Sequence, residues 1–218
     1  MVSIPPTHVG RSVRWGGVLI AVGAVQFAAA MAWVQSQYGG YSLLTNYISD
    51  LGNTSTSPQH WVFNISIIVL GIFAFLGILL AWGGFPRGGA RVVGLFLLII
   101  ASFAAIGVGL FPENVNAPVH DFVSLMVFLP GGLALVVLST GMKEMSLWNG
   151  FRAFSLILGL VTLVSLVYYA PTQAYNTTWD PGFVERLIVY PILLWGFVAG
   201  LHLSRIPRFS PSATKTSA

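Results

Sequence analysis

The sequence predicts an all-α integral membrane protein, a bundle of six transmembrane helices with both termini cytoplasmic. Hydrophobic residues make up 56% of the 218 residues, charged residues make up 7%, and the mean hydropathy is +0.81. A soluble domain carries about 25% charged residues, so this chain cannot cover itself with a water-facing surface. The apolar runs reach the roughly 20 residues that a helix needs to cross the hydrocarbon core. Cysteine is absent, which excludes disulfides and thiolate metal sites.

The apolar runs define one transmembrane domain over residues 15–203, without a second domain. The segment 1–14 before it is predicted to be cytoplasmic, and the first run is too long for a cleaved signal peptide. The polar segment 204–218 is predicted to be a disordered cytoplasmic tail. The predicted spans are 15–37, 61–83, 91–110, 119–142, 151–170 and 183–203.

The basic residues set the orientation. Of the ten Lys and Arg residues, all but Arg186 fall on one side of the predicted bundle. Basic residues concentrate on the cytoplasmic side, which places both termini there and favours the plasma membrane. Because these residues lie at segment ends, topology explains the net charge of +4 and no nucleic-acid partner is expected. Membrane lipids are the expected partners, and no sequence feature defines an oligomeric state.

The acidic residues fall mainly on the opposite, outer side, and Asp50 stands out among them. It follows the first span in a long, partly apolar connection that we expect to fold back onto the bundle, since backbone at membrane depth must be covered by protein or water. Asp50 either caps a local turn, with Gly52 free to adopt positive φ, or supplies a carboxylate to a pocket. Asn46 and Ser49 in the same stretch are candidate ligand contacts.

A second group of polar residues opens the fourth span. Asn116 followed by Pro118 is typical of a helix start, so His120 and Asp121 lie in the first turn or so. Asp121 suits the positive helix end as a cap, whereas that end favours a neutral His120, the form that accepts a proton or binds metal. Ser124 lies one turn further along the same face.

The sixth span supplies a third group. Glu185 lies about one turn inside, and ionisable side chains in a span usually face the bundle interior. Arg186 is the only base on the acidic side and either pairs with Glu185, Glu113 or Asp50, or contacts an anionic ligand. Tyr190, about one turn beyond, is predicted to share this polar face.

These three segments predict a polar pocket at the outer face, with three hypotheses for its role. The pocket binds a lipid headgroup or small polar ligand, or it performs acid–base or metal-assisted hydrolysis or transfer on a lipid, or its polar cluster only fixes helix packing. The candidate catalytic residues are Asp50, His120 and Glu185, with His120 as the base. The same three would hold a divalent metal as cofactor if one binds, since carboxylates and imidazole suit zinc, manganese or iron. The candidate ligand contacts are Asn46, Ser49, Glu113, Asp121, Ser124, Arg186 and Tyr190.

The same residues carry a family resemblance. The run from Tyr47 to Gly52, with its Ile-Ser-Asp, resembles a signature of the superfamily that includes autophagy-modulator proteins and proteins remodelling glycosylphosphatidylinositol lipids. His120-Asp121, Ser124 and Glu185 resemble its polar positions. With the Leu-Phe-Pro-Glu sequence ending at Glu113, the chain is most similar to a prokaryotic branch of six-span proteins, domain of unknown function 998. The resemblance implies a shared outer pocket near lipids and carries over no activity.

Overall fold

A computed structural model of the protein describes residues 6–142, 149–175 and 180–205, and in these ranges the chain is helical with no strand. Six of its helices are long and apolar enough to cross a membrane, which confirms the predicted all-α bundle of six transmembrane helices. They are α1 (Pro6–Gln37), α2 (His60–Ala81), α3 (Gly89–Leu110), α4 (Ala117–Gly141), α5 (Asn149–Tyr175) and α6 (Pro181–Ser204).

The first helix begins at Pro6, well before the start of the predicted span, and so includes much of the segment that was expected to precede the bundle. Proline suits a first helical turn because its missing N–H would have no partner there. The predicted tail lies outside the described residues from residue 206 onwards.

The helices form a closed ring in which each packs against its neighbours in the chain and α6 packs against α1. Glycines set how closely the first and last helices approach. A Cβ on Gly17 would lie 2.6 Å from the Gly200 carbonyl oxygen, and a Cβ on Gly200 would lie 2.6 Å from the Gly17 oxygen. Small residues allow this backbone approach, which is a common basis for helix association in membranes.

The residues 38–59 that connect α1 to α2, here called the α1–α2 loop, fold back onto the bundle as predicted. Their centre is a short 3-10 helix, Ser49–Gly52, in which Leu51 and Gly52 are buried. The expectation of a positive φ at Gly52 is wrong, because the glycines with positive φ in the described ranges are Gly40 and Gly88. A side chain is excluded at Gly52 for another reason: its Cβ would collide with the Asn64 amide oxygen and lie 3.0 Å from the Phe63 ring.

Candidate functional site

Two adjacent residues of α6 hold the α1–α2 loop in place. Glu185, which is 6% exposed, accepts a hydrogen bond from the backbone N–H of Ile48. Arg186, which is 5% exposed, donates to the carbonyl oxygens of Asn46 (3.0 Å) and Gly182 (2.7 Å). Buried backbone groups outside regular secondary structure need such partners, because leaving them unpaired is costly. The last helix therefore fixes a loop that lies far earlier in the chain.

Tyr41 completes this attachment. Its hydroxyl accepts a hydrogen bond from Arg186 (2.7 Å) and donates one to the Tyr47 carbonyl oxygen (2.7 Å). The Arg186 guanidinium carbon also lies 5.6 Å from the centre of the Tyr41 ring, within cation–π range. Burial raises the pKa of Tyr41 to about 12, although the nearby Arg186 charge acts in the opposite direction. The phenol is thus neutral at physiological pH and can serve both bonds.

Beneath the attached loop lies a cavity of about 380 Å³, here called the polar cavity. The loop, the α3–α4 connection, α4, α5 and α6 all contribute to its wall. On α4, Asp121 and Leu125 are also exposed at the surface of the bundle, so the cavity reaches that surface beside α4. The lining residues are Tyr47, Ser49, Glu113, His120, Asp121, Ser124, Leu125, Phe128, Leu166, Tyr169 and Glu185.

The α3–α4 connection holds the loop from the opposite side to α6. The Ser49 hydroxyl donates to a Glu113 carboxylate oxygen at 3.1 Å. Next to it, Asn114 accepts from the Thr54 backbone N–H at 3.0 Å and donates to the Thr54 hydroxyl at 2.8 Å. Glu113 is therefore positioned at the cavity wall by its own contact with Ser49 and by the contacts of the next residue, Asn114, with Thr54.

The environment of His120 fixes which ring nitrogen carries the proton. His120 is 7% exposed, and its Nδ1 lies 2.9 Å from the carbonyl oxygen of Phe111. A carbonyl oxygen can only accept, so Nδ1 donates, and in the neutral ring Nε2 is left as an acceptor. The predicted helix start is confirmed here, since the Asn116 side chain caps α4 by accepting from the Val119 N–H at 3.3 Å. This cap places His120 in the first turns, where it lines the cavity.

Two smaller apolar chambers continue from the polar cavity into the centre of the ring. The first, of about 80 Å³, shares Ser49, His120, Ser124, Phe128 and Glu185 with the polar cavity. The second, of about 100 Å³, lies nearer the termini and reaches Phe85 and Trp195. Both chambers are almost wholly apolar, and they share the wall residues Leu70, Ala105, Val127, Ile192 and Leu193.

The three spaces follow one another along the bundle axis. On α6 the wall passes from Glu185 to Gly196, which is about 16 Å at 1.5 Å per residue. The hydrocarbon core of a bilayer is about 30 Å thick, so the three spaces together extend over roughly the depth of one leaflet. It is polar at one end and apolar along the rest.

Several predicted site residues line this space and others do not. Ser49, Glu113, His120, Asp121, Ser124 and Glu185 line the polar cavity. Asn46, Asp50, Arg186 and Tyr190 do not.

The residues outside the wall have identifiable alternative roles. Asp50 accepts from the Asn46 side chain (3.0 Å) and the Tyr47 N–H (2.9 Å), so it stabilises the turn before the 3-10 helix. Arg186 donates to the carbonyl oxygen of Asn46 in the loop and to that of Gly182 in its own helix. Tyr190 is 40% exposed on the outside of the ring, because five helical residues turn a side chain about 140° away from Glu185.

No group of three His, Asp or Glu side chains converges to hold a metal ion in the described ranges. The conditional assignment of a metal to Asp50, His120 and Glu185 therefore has no supporting geometry. The reason is the orientation of Asp50, whose side chain is bonded within its own loop rather than directed towards His120.

Sequence reasoning missed the aromatic and apolar parts of the wall. Tyr47 and Tyr169 form an edge-on ring pair with centroids 6.2 Å apart, and both line the polar cavity. The apolar chambers left only a weak sequence signal, namely small residues such as Ala101, Ala105 and Gly196 on inward-facing positions of α3 and α6.

The fold and the site define a multi-pass helical membrane protein with an internal cavity that is polar at one end. The chain belongs to the DUF998 family, described as proteins of unknown function, whose family model matches residues 6–202. No curated protein and no solved structure matches the chain.

Proposed function

We propose that this protein binds an amphiphile, its polar group in the polar cavity and its hydrocarbon part in the apolar chambers. The observation that carries the proposal is the succession of these three spaces, in which each neighbouring pair shares wall residues. Ligand sites are mostly apolar with a few placed polar groups. A cluster serving only helix packing would be filled and fully paired, which does not fit a cavity of about 380 Å³.

Filling the apolar chambers tests this proposal directly. Ala105 lines both chambers, and a Cβ on Gly196 would meet only Ile20, at an ordinary 3.8 Å. Leucine at either position places its side chain in the space assigned to the hydrocarbon part. Ala29→Leu is the control, because it adds the same atoms as Ala105→Leu but on the exposed face of α1.

The measurement is native mass spectrometry of the full chain released from detergent micelles. We expect the unaltered protein and Ala29→Leu to carry a co-purified amphiphile, and Ala105→Leu and Gly196→Leu to lose most of it. Equal occupancy in all four proteins, with unchanged thermal unfolding, would place the amphiphile elsewhere and contradict the proposal.

A second candidate function, lipid hydrolysis, is favoured by the fixed tautomer of His120. With Nδ1 donating to Phe111, Nε2 can take a proton from a water whose oxygen bonds to a carbonyl carbon, and the departing group then receives that proton. Product release from ester- or amide-linked lipids, abolished in His120→Gln, would support this function. Binding without any product, over repeated incubations with defined lipids, would leave only the binding function.

We further propose that both termini face the cytoplasm and that the protein resides in the plasma membrane, as the distribution of basic residues suggests. We also propose that the chain is related to autophagy modulators and lipid-remodelling proteins, and that it is of prokaryotic origin. Because the chain has no cysteine, single cysteines at exposed Thr56 and Gly150 can report sidedness. Labelling of Thr56→Cys alone by a membrane-impermeant maleimide on intact cells is expected, and the reverse pattern would overturn the orientation.

A further inference from the structure

The polar atoms that face the polar cavity are mainly hydrogen-bond acceptors. Three carboxylates, those of Glu113, Asp121 and Glu185, line it, and its described wall contains neither Lys nor Arg. The Ser49 hydroxyl already donates its hydrogen bond to Glu113. Ionised carboxylates accept hydrogen bonds and cannot donate them. The other hydroxyl-bearing side chains of the wall are Ser124, Tyr47 and Tyr169, which can donate as well as accept. A ligand that presents only acceptor oxygens would therefore find hydroxyl donors at most, and no cationic side chain of the described wall.

Two of these acceptors are deeply buried and incompletely used. His120 is 7% exposed, and its Nδ1 makes the hydrogen bond to Phe111. Glu185 is 6% exposed, and one of its carboxylate oxygens accepts a hydrogen bond from the Ile48 N–H. In the part of the chain that the structure describes, Nε2 of His120 and the other oxygen of Glu185 have no hydrogen-bond partner. Both side chains are more than nine-tenths buried and line the polar cavity, to which these two atoms remain open; polar groups of buried side chains usually have a hydrogen-bond partner. Together they indicate a ligand that supplies donors.

The nearest guanidinium, that of Arg186, does not supply hydrogen-bond donors to the polar cavity. Arg186 follows Glu185 in α6, but its Nη atoms donate to Asn46, Gly182 and Tyr41. It does not line the polar cavity. A positive group on a ligand therefore meets carboxylates without an intervening cation of the protein.

We propose that the polar cavity recognises the primary ammonium group of an amphiphile, an inference that rests on the proposed binding function. A primary ammonium offers three N–H donors and a positive charge, matching the carboxylates and Nε2 of His120. A quaternary ammonium carries the charge without N–H donors. A phosphate or sulfate group would meet like charge. The aromatic rings of Tyr47 and Tyr169 in the wall add surfaces on which cations bind favourably.

A series of probes with one chain and different polar groups tests this inference. Tetradecylamine, tetradecyltrimethylammonium and tetradecyl sulfate are titrated into the full-length protein in a non-ionic detergent, and binding is measured by native mass spectrometry. Tetradecylamine should bind at least about tenfold more tightly than the other two, because hydrogen bonds to charged groups have effects of this size. Equal binding of the three would overturn the ammonium inference and leave the amphiphile site intact, whereas binding of none would overturn both.

A phospholipid arm identifies the source of the amine. Phosphatidylethanolamine and phosphatidylcholine with the same acyl chains differ only in methylation of the ammonium group. Preference for the ethanolamine lipid would support the inference with a phospholipid as ligand. Tetradecylamine binding without that preference would support it with a free long-chain amine as ligand. Preference for the choline lipid would contradict it.

Variants of the cavity wall test whether its carboxylates cause the preference for a primary ammonium group. Asp121→Asn removes a carboxylate at an exposed position of the wall, and adding Glu113→Gln removes a second. Asp180→Asn is the control, because Asp180 is exposed at the start of α6, makes no capping hydrogen bond and lies outside the cavity wall.

We expect the preference for tetradecylamine to fall about tenfold in the double variant, to fall less in Asp121→Asn, and to be unchanged in Asp180→Asn. Thermal unfolding in the same detergent checks that each variant is folded. If the double variant does not fold, the exposed Asp121→Asn substitution decides alone. An undiminished preference in folded Asp121→Asn and in the folded double variant would exclude these carboxylates as the recognition groups.

Discussion

Replacing Tyr41 with phenylalanine isolates the attachment of the α1–α2 loop to α6. The substitution keeps the ring that packs near the Arg186 guanidinium and removes only the hydroxyl, which makes 2.7 Å hydrogen bonds to Arg186 and to the Tyr47 carbonyl. Arg186 is 5% exposed, so the released guanidinium nitrogen has poor access to water. Tyr47 is less buried, and its carbonyl can regain a hydrogen bond to water more easily.

The expected cost follows from these contacts. Losing a hydrogen bond to a charged group costs about 1.5–3 kcal/mol, and the Tyr47 carbonyl adds little if water replaces its partner. A loss of about 2 kcal/mol corresponds to a roughly 30-fold increase in the fraction of opened loop. The loss is local, because Arg186 keeps its bonds to Asn46 and Gly182.

Hydrogen–deuterium exchange measures this opening. The Ile48 amide, which donates to Glu185, should exchange about 30-fold faster in Tyr41→Phe, while amides in the middle of α2 keep their rates. Tyr38→Phe is the matched control, because its ring lies 5.5 Å from that of Tyr41 and its hydroxyl has no hydrogen-bond partner among the described residues. Unchanged exchange at Ile48 in Tyr41→Phe would refute the reasoning, as would equal acceleration in Tyr38→Phe.

Three further predictions concern titration, helix packing and capping. Because the pKa of Tyr41 is raised to about 12, its contribution to stability is complete below about pH 10, the usual pKa of tyrosine, and is lost as the pH rises towards 12. Ultraviolet titration should show one tyrosine that ionises late, and Tyr41→Phe should lack it. Normal titration of all tyrosines would contradict this prediction. Gly200→Val should destabilise the bundle by about 1–3 kcal/mol, seen as a lower unfolding temperature in detergent, because its Cβ would lie 2.6 Å from the Ala21 backbone nitrogen; an unchanged temperature would mean that α1 and α6 are not in backbone contact. Asn116→Ala should cost about 1 kcal/mol and Asn116→Asp almost nothing in the same assay, since only alanine removes the cap on Val119; equal effects of both would refute the capping role.

The fold class was predictable because composition and run length decide it. A chain with 7% charged residues has no water-facing surface to form, and each span needs about 20 apolar residues. The extension of α1 back to Pro6 has no signal in the apolar run, because hydropathy marks where a chain crosses the bilayer and not where its helix begins. Helix formation does not end at the membrane, and nothing in 6–14 interrupts it after Pro6.

The sequence indicated segments that line the polar cavity, but it could not indicate which residue of each segment faces it. Ser49 and Asp50 are neighbours in a 3-10 helix, where successive side chains point about 120° apart. Ser49 therefore faces the polar cavity while Asp50 bonds within the loop, and Glu113 supplies the carboxylate that Asp50 was expected to give. The sequence of this stretch predicts a turn, but the orientation of the turn depends on its contacts with Glu185 and Arg186.

The apolar chambers could not be found from hydrophobic patterning. In a soluble protein the inward face of a helix is apolar and the outward face polar, but in a membrane both faces are apolar. The inward Val127 and the outward Leu129 are chemically alike, and only the assembled ring tells them apart. The residues of a chamber wall differ from other inward residues only in side-chain size. Whether a small side chain leaves an open space depends on the helix that faces it.

The closed ring has a consequence for biogenesis. Helices enter the membrane in the order of synthesis, and α6, which carries Glu185 and Arg186, is the last. Until it arrives, the backbone of the α1–α2 loop lacks the partners that the finished protein provides at Ile48 and Asn46. The polar cavity can therefore be completed only after α6 has been synthesised. A protein truncated before α6 would insert five helices and would lack the wall that Glu185 provides.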